Sequence, residues 1–392
     1  MATNYQLAVP AQQCAVAHGV IPLLPFVRQL HNLPDERDNR GKRHTLPFVL
    51  GGVVLAILAG RAYPSSMQRF IQNRLSWLRR VLGEPQATPI SRAHLPRLLA
   101  QINWVSLNVI VMAHFGVEIV VDDATWYALD GKTLRGVPGA AERLLLAIEH
   151  TARKTVAPQP MQGPKDSEVT AARELLQSTG LEHAKVTLDA LHLTPDTTAQ
   201  INQADGQFIM QLKDNQPLLV AQMEQVAAAT VPVTQIIQVN QGHGRHERRH
   251  AIFFDMRAVE LAPRWAASDL ATLIVLARRT HTPAKNKSTA EVALYLSNTV
   301  LDAPVDARAA ELFTAVRQHW GVESENYIRD TTFQEDHVRT QDANQGQVLA
   351  CLRTLAIRLL REAQLPNFRA ALERFSDCPN QFEAFLHQYG VL

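Results

Sequence analysis

The chain has 392 residues, of which 46% are hydrophobic and 19% charged, and its formal net charge is +2. Those proportions are ordinary for a globular protein of two or three domains, at least one with a substantial core. Cys14, Cys351 and Cys378 lie far apart in no metal-binding spacing and predict reduced thiols rather than a disulfide framework.

Residues 1–27, an N-terminal extension, carry no Lys, Arg, Asp or Glu and so lack the basic stretch that opens a secretory signal. From Arg28 to Arg97, twelve basic residues stand against four acids, a local excess that fits a phosphate-binding surface. Apolar spacing predicts helix over 46–82, with a further helix after Ser91 as cap. The apolar run from Leu46 to Gly60 is shorter than the roughly 20 residues a membrane-spanning helix needs, so a cytoplasmic protein with no membrane partner is expected. Residues 28–115 thus read as a small, helical, basic domain suited to binding DNA.

From about residue 117 the pattern turns to strands. VEIVV, WYALDGKTL, RLLLAIEH and KTVAPQP are followed by a helix ending at Gly180. HAKVTLDALHL is the next strand, a helix starts at Pro195 with Thr194 as cap, and QFIMQLKDN and PLLVAQMEQVAA give strand and helix again. Residues 116–230 therefore read as α/β. Residues 231–300 read as a β-rich insertion, with two strands around the basic, histidine-rich connection HGRHERRH. Helix resumes near Asp306 as N-cap and runs through ARAAELFTAVRQHWGVESENY. Residues 301–362 complete the core and 363–392 form a helical tail.

Asp130 and Asp189 each interrupt or end an apolar strand, 59 positions apart. Glu323 follows Leu312, Val316 and Trp320 at helical spacing, with Tyr327 after it, and so continues an apolar stripe. A carboxylate in such surroundings needs a cationic partner; an arginine such as Arg317 or Arg329 serves for one, a hard cation for three that converge. In a ribonuclease-H-like fold this spacing sets the first and fourth strands side by side, and a late helix delivers the third acid. Two Mg²⁺ ions, or Mn²⁺ in their place, held about 3.5–4 Å apart would then suit phosphoryl transfer on a polynucleotide.

The stretches ALDGKTLRG (128–136), VTLDALHL (186–193), FIMQLKDNQ (208–216), HGRHERR (243–249), RQHWGVESENYIRDTTFQED (317–336) and LRTLAIRLLRE (352–362) resemble the ordered motifs of one family. It is the DDE-type insertion-sequence transposases of the H-repeat-associated kind, and the resemblance extends over residues 28–362. It implies a ribonuclease-H-like core with Asp130, Asp189 and Glu323 as catalytic and metal-holding acids, and cleavage and strand transfer at the inverted-repeat ends of an element. It also implies double-stranded DNA as partner and a homodimer or larger assembly when two ends are synapsed. Glu325, about 200° round the helix from Glu323, is the rival third acid. Where the wider superfamily has Tyr and Arg ahead of the acid and Lys after it, this chain has Val316, His319 and Arg329. Lys132, Lys213, Asn215, Gln216, His243, Arg245, Arg248, Arg249 and Arg329 are the candidate DNA contacts, while His192 reads as structural. Glu335 and Asp336 match the family's acidic pair without an evident role. The alternatives are a domesticated recombinase or nuclease on the same core, and a catalytically idle DNA-binding remnant.

Overall fold

The computed structural model describes residues 3–6, 25–38, 42–116, 118–133, 143–161, 166–242, 244–340 and 342–392. Six helices open the chain among the described residues: α1 (Phe26–Gln29), α2 (Leu46–Leu58), α3 (Pro64–Asn73), α4 (Leu75–Val81), α5 (His94–Ala100) and α6 (Trp104–His114). The expected helix over 46–82 is thus three. The first break spans 59–63 ahead of Pro64, whose ring suits a first helical position and nothing deeper. Every residue of α2 is buried, so it is a core helix and not a surface one. Ser91 opens the turn into α5, its hydroxyl accepting from the His94 N–H at 3.2 Å. Among the described residues, no single helix is long and apolar enough to cross a membrane.

The described strands form one small and one large sheet. β1 (Thr3–Gln6) and β2 (Glu118–Val121) pair antiparallel. The large sheet contains β3 (Trp126–Thr133), β4 (Arg143–Glu149), β5 (Thr155–Met161), β6 (Lys185–Leu188), β7 (Gln207–Leu212), β8 (Thr234–Gly242), β9 (Arg245–Asp255), β10 (Thr272–Thr282) and β11 (Lys287–Ser297). Its order is β5-β4-β3-β6-β7-β11-β10-β9-β8, with β3, β6 and β7 parallel and all other pairs antiparallel. This is a mixed α/β architecture. The segment 231–300 is β-rich as expected, but it is no separate module. β11 pairs with β7 from Leu294↔Leu212 to Ser297↔Ile209, so the four late strands prolong the main sheet. The basic, histidine-rich stretch expected as a connection is strand from Arg245 onward, while β8 runs to Gly242.

The remaining helices are α7 (Asp166–Thr179), α8 (Pro195–Gln203), α9 (Pro217–Ala229), α10 (Val305–His319), α11 (Gly321–Thr331), α12 (Ala343–Glu362), α13 (Phe368–Asp377) and α14 (Pro379–Gln388). Thr194 caps α8 as expected, accepting from the Thr197 N–H at 3.3 Å. One face of the sheet buries Leu129, Val186, Met210 and Leu273 with Leu176, Ile201 and Met223 of α7, α8 and α9. The other receives α10 through Leu312, Phe313 and Val316, and α11 through Val322. α12 is buried along most of its length; Ala350 meets Ala128 and Leu146 of the sheet, while Leu352, Leu355 and Leu359 join the core of α2 to α6. Phe375, Phe382 and Leu386 of α13 and α14 belong to that helical core too, so both ends of the chain build it.

Candidate active site

Strand register brings the two aspartates together. β3 and β6 run parallel, and their last pair is Leu129↔Leu188. Asp130 and Asp189 stand one step further along neighbouring strands, which lie about 4.8 Å apart, and the pleat turns both toward the face that carries α10 and α11. Asp189 ends its strand by capping a 3₁₀ turn, its Oδ1 accepting from the Leu191 N–H at 2.9 Å. Asn215 and Gln216 at the end of β7 tie down that turn through hydrogen bonds to the carbonyls of Ala190 (2.7 Å) and Leu193 (3.1 Å). These two residues hold the Asp189 loop rather than reach outward.

α10 is fixed across β3 and β6 by Glu311, which accepts from Trp126 Nε1 at 3.0 Å and from the buried Lys185 Nζ at 2.7 Å. The helix expected to run unbroken to Tyr327 ends at His319, and α11 restarts at Gly321. The apolar stripe therefore stops: Trp320, Glu323 and Tyr327 are exposed, while Val322, Glu325 and Arg329 face inward. Glu325 is ion-paired with Arg361 of α12 at 3.0 Å. That pairing removes it from the cleft and leaves Glu323 as the acid that α11 presents there. Asn326 of the same helix donates to Asp130 Oδ2 at 3.1 Å.

Asp130, Asp189 and Glu323 line one cleft of about 600 Å³, with Lys213, Arg249, Arg278, Arg317, His319 and Trp320 around them. Burial, then the negative charges of Asp189, Glu168 and Glu323, push the Asp130 carboxyl up to about 7. Below the cleft, Thr187 Oγ1 joins His150 Nε2 and His319 Nδ1, both at 2.9 Å. Burial holds both imidazoles low, at about 3 and about 4, so they stay neutral at pH 7. His192 is fully buried, its Nε2 3.8 Å from Asp189 Oδ1 and 3.9 Å from Glu168 Oε1.

Several expected DNA contacts lie elsewhere. Lys132 is 5% exposed and held by Asp330 at 2.5 Å and Asp336 at 3.4 Å. Arg329 is fully buried, bonded to Thr354 at 2.8 Å and 3.6 Å from Glu335, which also faces Arg353. Neither cation reaches solvent, so neither grips a phosphate; both knit α11 to its neighbours, and the Glu335–Asp336 pair gains its role as their counter-charge. The pleat sets Arg245 and Arg249 on the cleft face of β9 and Arg248 on the opposite one. Arg249 pairs with Glu247 at 2.5 Å and stands across from Arg278. His243 lies outside the described residues.

Sequence reasoning missed Arg278 and Arg317 as basic lining, and Glu168 beside Asp130. Arg278 sat in a strand with no motif, and only its pairing with Arg249 brings it to the cleft. Arg317 carries a guanidinium lowered from its ordinary value by partial burial and by Arg249, two like charges crowded where an anion would relieve them.

Residues 27–115 match a family model described as DDE_Tnp_1-associated. The protein provisionally named transposase YncI, from Escherichia coli O157:H7, is 24% identical over 342 residues, 85% of this chain and 86% of its own. The H-repeat-associated protein YhhI of Escherichia coli K12, also provisionally named a transposase, is 24% identical over 367 residues, 90% of this chain and 94% of its own. An uncharacterised protein encoded in the dhlA 3′ region of Xanthobacter autotrophicus is 29% identical over 247 residues, 60% of this chain and 82% of its own. Its N-terminal helices thus match a transposase-associated family model, and along about nine-tenths of its length the chain is similar to H-repeat-associated proteins provisionally named transposases.

Proposed function

We propose that this protein is a transposase that cuts and rejoins DNA at the inverted-repeat ends of its element by cation-assisted phosphoryl transfer in the cleft of Asp130, Asp189 and Glu323. The observation that carries the reading is the cleft itself. Three acids separated by 59 and 134 positions line one cavity, and their mutual repulsion helps burial keep Asp130 at about 7. The strand order β5-β4-β3-β6-β7, with only β3, β6 and β7 parallel, supports a ribonuclease-H-like core for the first five strands.

Among the described residues, no three His, Cys, Asp or Glu side chains stand ready-made as a ligand set. The donor chemistry nonetheless suits Mg²⁺ or Mn²⁺: carboxylate oxygens only, crowded together, with the exposed Glu323 side chain able to swing onto the pair of aspartates. Asp130, Asp189 and Glu323 would hold the cations, two in number. Bound there, the ions would activate a water or 3′-hydroxyl and neutralise charge on the phosphate. The chain's own groups supply the rest. Asn326 and the Leu191 N–H fix one oxygen of each aspartate. Arg249, Arg278, Arg317 and Lys213 give the cleft a cationic wall for the DNA backbone. Holding two ends for rejoining calls for a dimer or larger assembly on the DNA.

The test uses the full chain with DNA carrying the element's ends. Mg²⁺ or Mn²⁺ is expected to support nicking and strand transfer, and chelator to abolish both. Asp189→Asn should keep DNA binding and lose turnover by orders of magnitude, as expected for a group that acts in the transition state. Full strand transfer by Asp189→Asn, or cleavage in chelator, refutes the mechanism.

A further inference from the structure

Behind Asp130, outside the lining of the cleft, lies an acid that neither the motifs nor the strand pattern foretold. Glu168 sits in the first turn of α7, on the sheet face opposite α11, and is only 9% exposed. Its carboxylate lies over Gly131, the residue after Asp130. A Cβ built at position 131 would overlap that carboxylate, with Glu168 Cδ at 2.8 Å. Gly131 has no left-handed backbone here, so what requires a glycine is the close approach of this side chain. The sheet has been left open beside Asp130, and a carboxylate fills the opening.

A second feature points the same way. The His192 side chain is 1% exposed and neither ring nitrogen makes a hydrogen bond, yet its Nε2 lies 3.8 Å from Asp189 Oδ1 and 3.9 Å from Glu168 Oε1. One buried imidazole thus separates two carboxylates, each of which is a neighbour of Asp130. Acids gathered this closely in a buried setting repel one another, and a cation among them relieves the cost.

We propose that Glu168, reaching Asp130 from behind the cleft, is a further carboxylate of the phosphoryl-transfer site and shares a divalent cation with Asp130. The proposal rests on the reading of that cleft given above and adds a donor from the opposite face of the sheet. Two acids then come from the ends of parallel strands, one from α11 above the sheet and one from α7 below it. The ion would be enclosed from both sides rather than held against one face.

The experiment is equilibrium Mn²⁺ binding to the full-length protein, read from the electron paramagnetic resonance signal of free Mn²⁺, with thermal unfolding in chelator alongside. Glu168→Gln is expected to weaken Mn²⁺ binding at least about 10-fold, the lower end of what is lost when even an indirect partner of a metal site is removed. Its unfolding temperature in chelator should hold or rise, because one of several crowded charges is gone. Gly131→Ala should weaken binding as well without changing any charge, since its methyl displaces the Glu168 carboxylate. Glu174→Gln, an exposed change on the same helix, should bind as the native protein does. Native Mn²⁺ affinity in Glu168→Gln overturns the proposal, whether or not its unfolding temperature falls. Should that variant fail to fold, Glu168→Asp decides, with weaker binding expected and native binding refuting. Failure of the underlying reading looks different: the native protein would bind no Mn²⁺, or Asp189→Asn would bind it undiminished.

Discussion

Asp130→Asn offers a direct measure of the charge crowding in the cleft. An ordinary aspartate titrates at 3.8, whereas burial and the neighbouring acids push Asp130 up to about 7. At 1.36 kcal/mol per pKa unit, that gap corresponds to about 4 kcal/mol by which ionised Asp130 disfavours the folded state. The sign follows from the raised value. Below about pH 4 the carboxyl is protonated in both folded and unfolded chains and costs nothing. As pH rises toward 7 the unfolded chain ionises freely and the folded one resists, so stability is lost until the folded group ionises too. Asparagine stays neutral, keeps an oxygen to accept from Asn326, and escapes the penalty. Asp130 is only partly buried, and solvent screening draws the expected gain toward the lower part of the range of about 2–4 kcal/mol. Urea unfolding in chelator should therefore show Asp130→Asn more stable than the native protein by that amount at pH 8 and by almost nothing at pH 4. Adding Mn²⁺ should narrow or close the gap, because an ion at 100 times its dissociation constant stabilises only the chain that binds it, by about 2.7 kcal/mol. A destabilised Asp130→Asn at pH 8, or a gain equal at both pH values, would refute the reasoning.

The two glutamates of α11 should part company: Glu323→Gln is expected to lose strand transfer by orders of magnitude with unfolding unchanged, and Glu325→Gln to lose about 3–5 kcal/mol in denaturant unfolding by stranding Arg361. Glu335→Gln should destabilise by a similar amount, because it leaves the buried Arg329 and Arg353 facing each other without their carboxylate; a change under about 1 kcal/mol would show that the trio is solvated. On the N-terminal helices, Arg69→Glu, Arg92→Glu and Arg97→Glu alter exposed cations and should each weaken end binding, with the slope of log affinity on log salt falling by about 1 for every phosphate that is no longer neutralised; unchanged slopes would assign end recognition elsewhere. Deletion of residues 28–110 is the wrong instrument for that question, since it would bare the apolar face that α12, α13 and α14 share with α2 to α6.

Much of the site was legible because its signals are local. Asp130 and Asp189 stand at the ends of short apolar strands, and the apolar pattern around each defines the strand without help from the rest of the chain. Thr194-Pro195 announces α8 by capping chemistry alone. What stayed hidden depends on distant partners. Lys132 and Arg329 read as exposed cations beside a motif because a sequence shows their charge and not their counter-charges. For Lys132 these come from Asp330 and Asp336, about two hundred positions away. The four late strands looked like a module of their own because the pairing of β7 with β11 joins residues more than eighty positions apart. The break at Trp320 was masked by apolar spacing that carried on past it, although Gly321 marked the place. Glu168 had no signal of its own. Its significance lies in the missing side chain of Gly131, a residue that reads in the sequence as an ordinary turn glycine.

The arrangement of α11 links these findings. One face of the helix is committed to the interior, with Val322 in the sheet packing and Glu325 and Arg329 in ion pairs whose partners sit on or beside α12. A helix bolted along one side cannot rotate to choose between Glu323 and Glu325, so the cleft receives Glu323 by default. The buried charges gain little net stability over apolar residues of the same size; what they fix is the phase of the helix. That precision matters in phosphoryl transfer, where displacement of a reacting group by about 1 Å costs on the order of 100-fold in rate. The cleft draws its charges from different elements: Asp130 and Asp189 from strand ends and Glu323 from α11, while Arg249, Arg278 and Glu291 come from the prolonged sheet and Arg317 from α10.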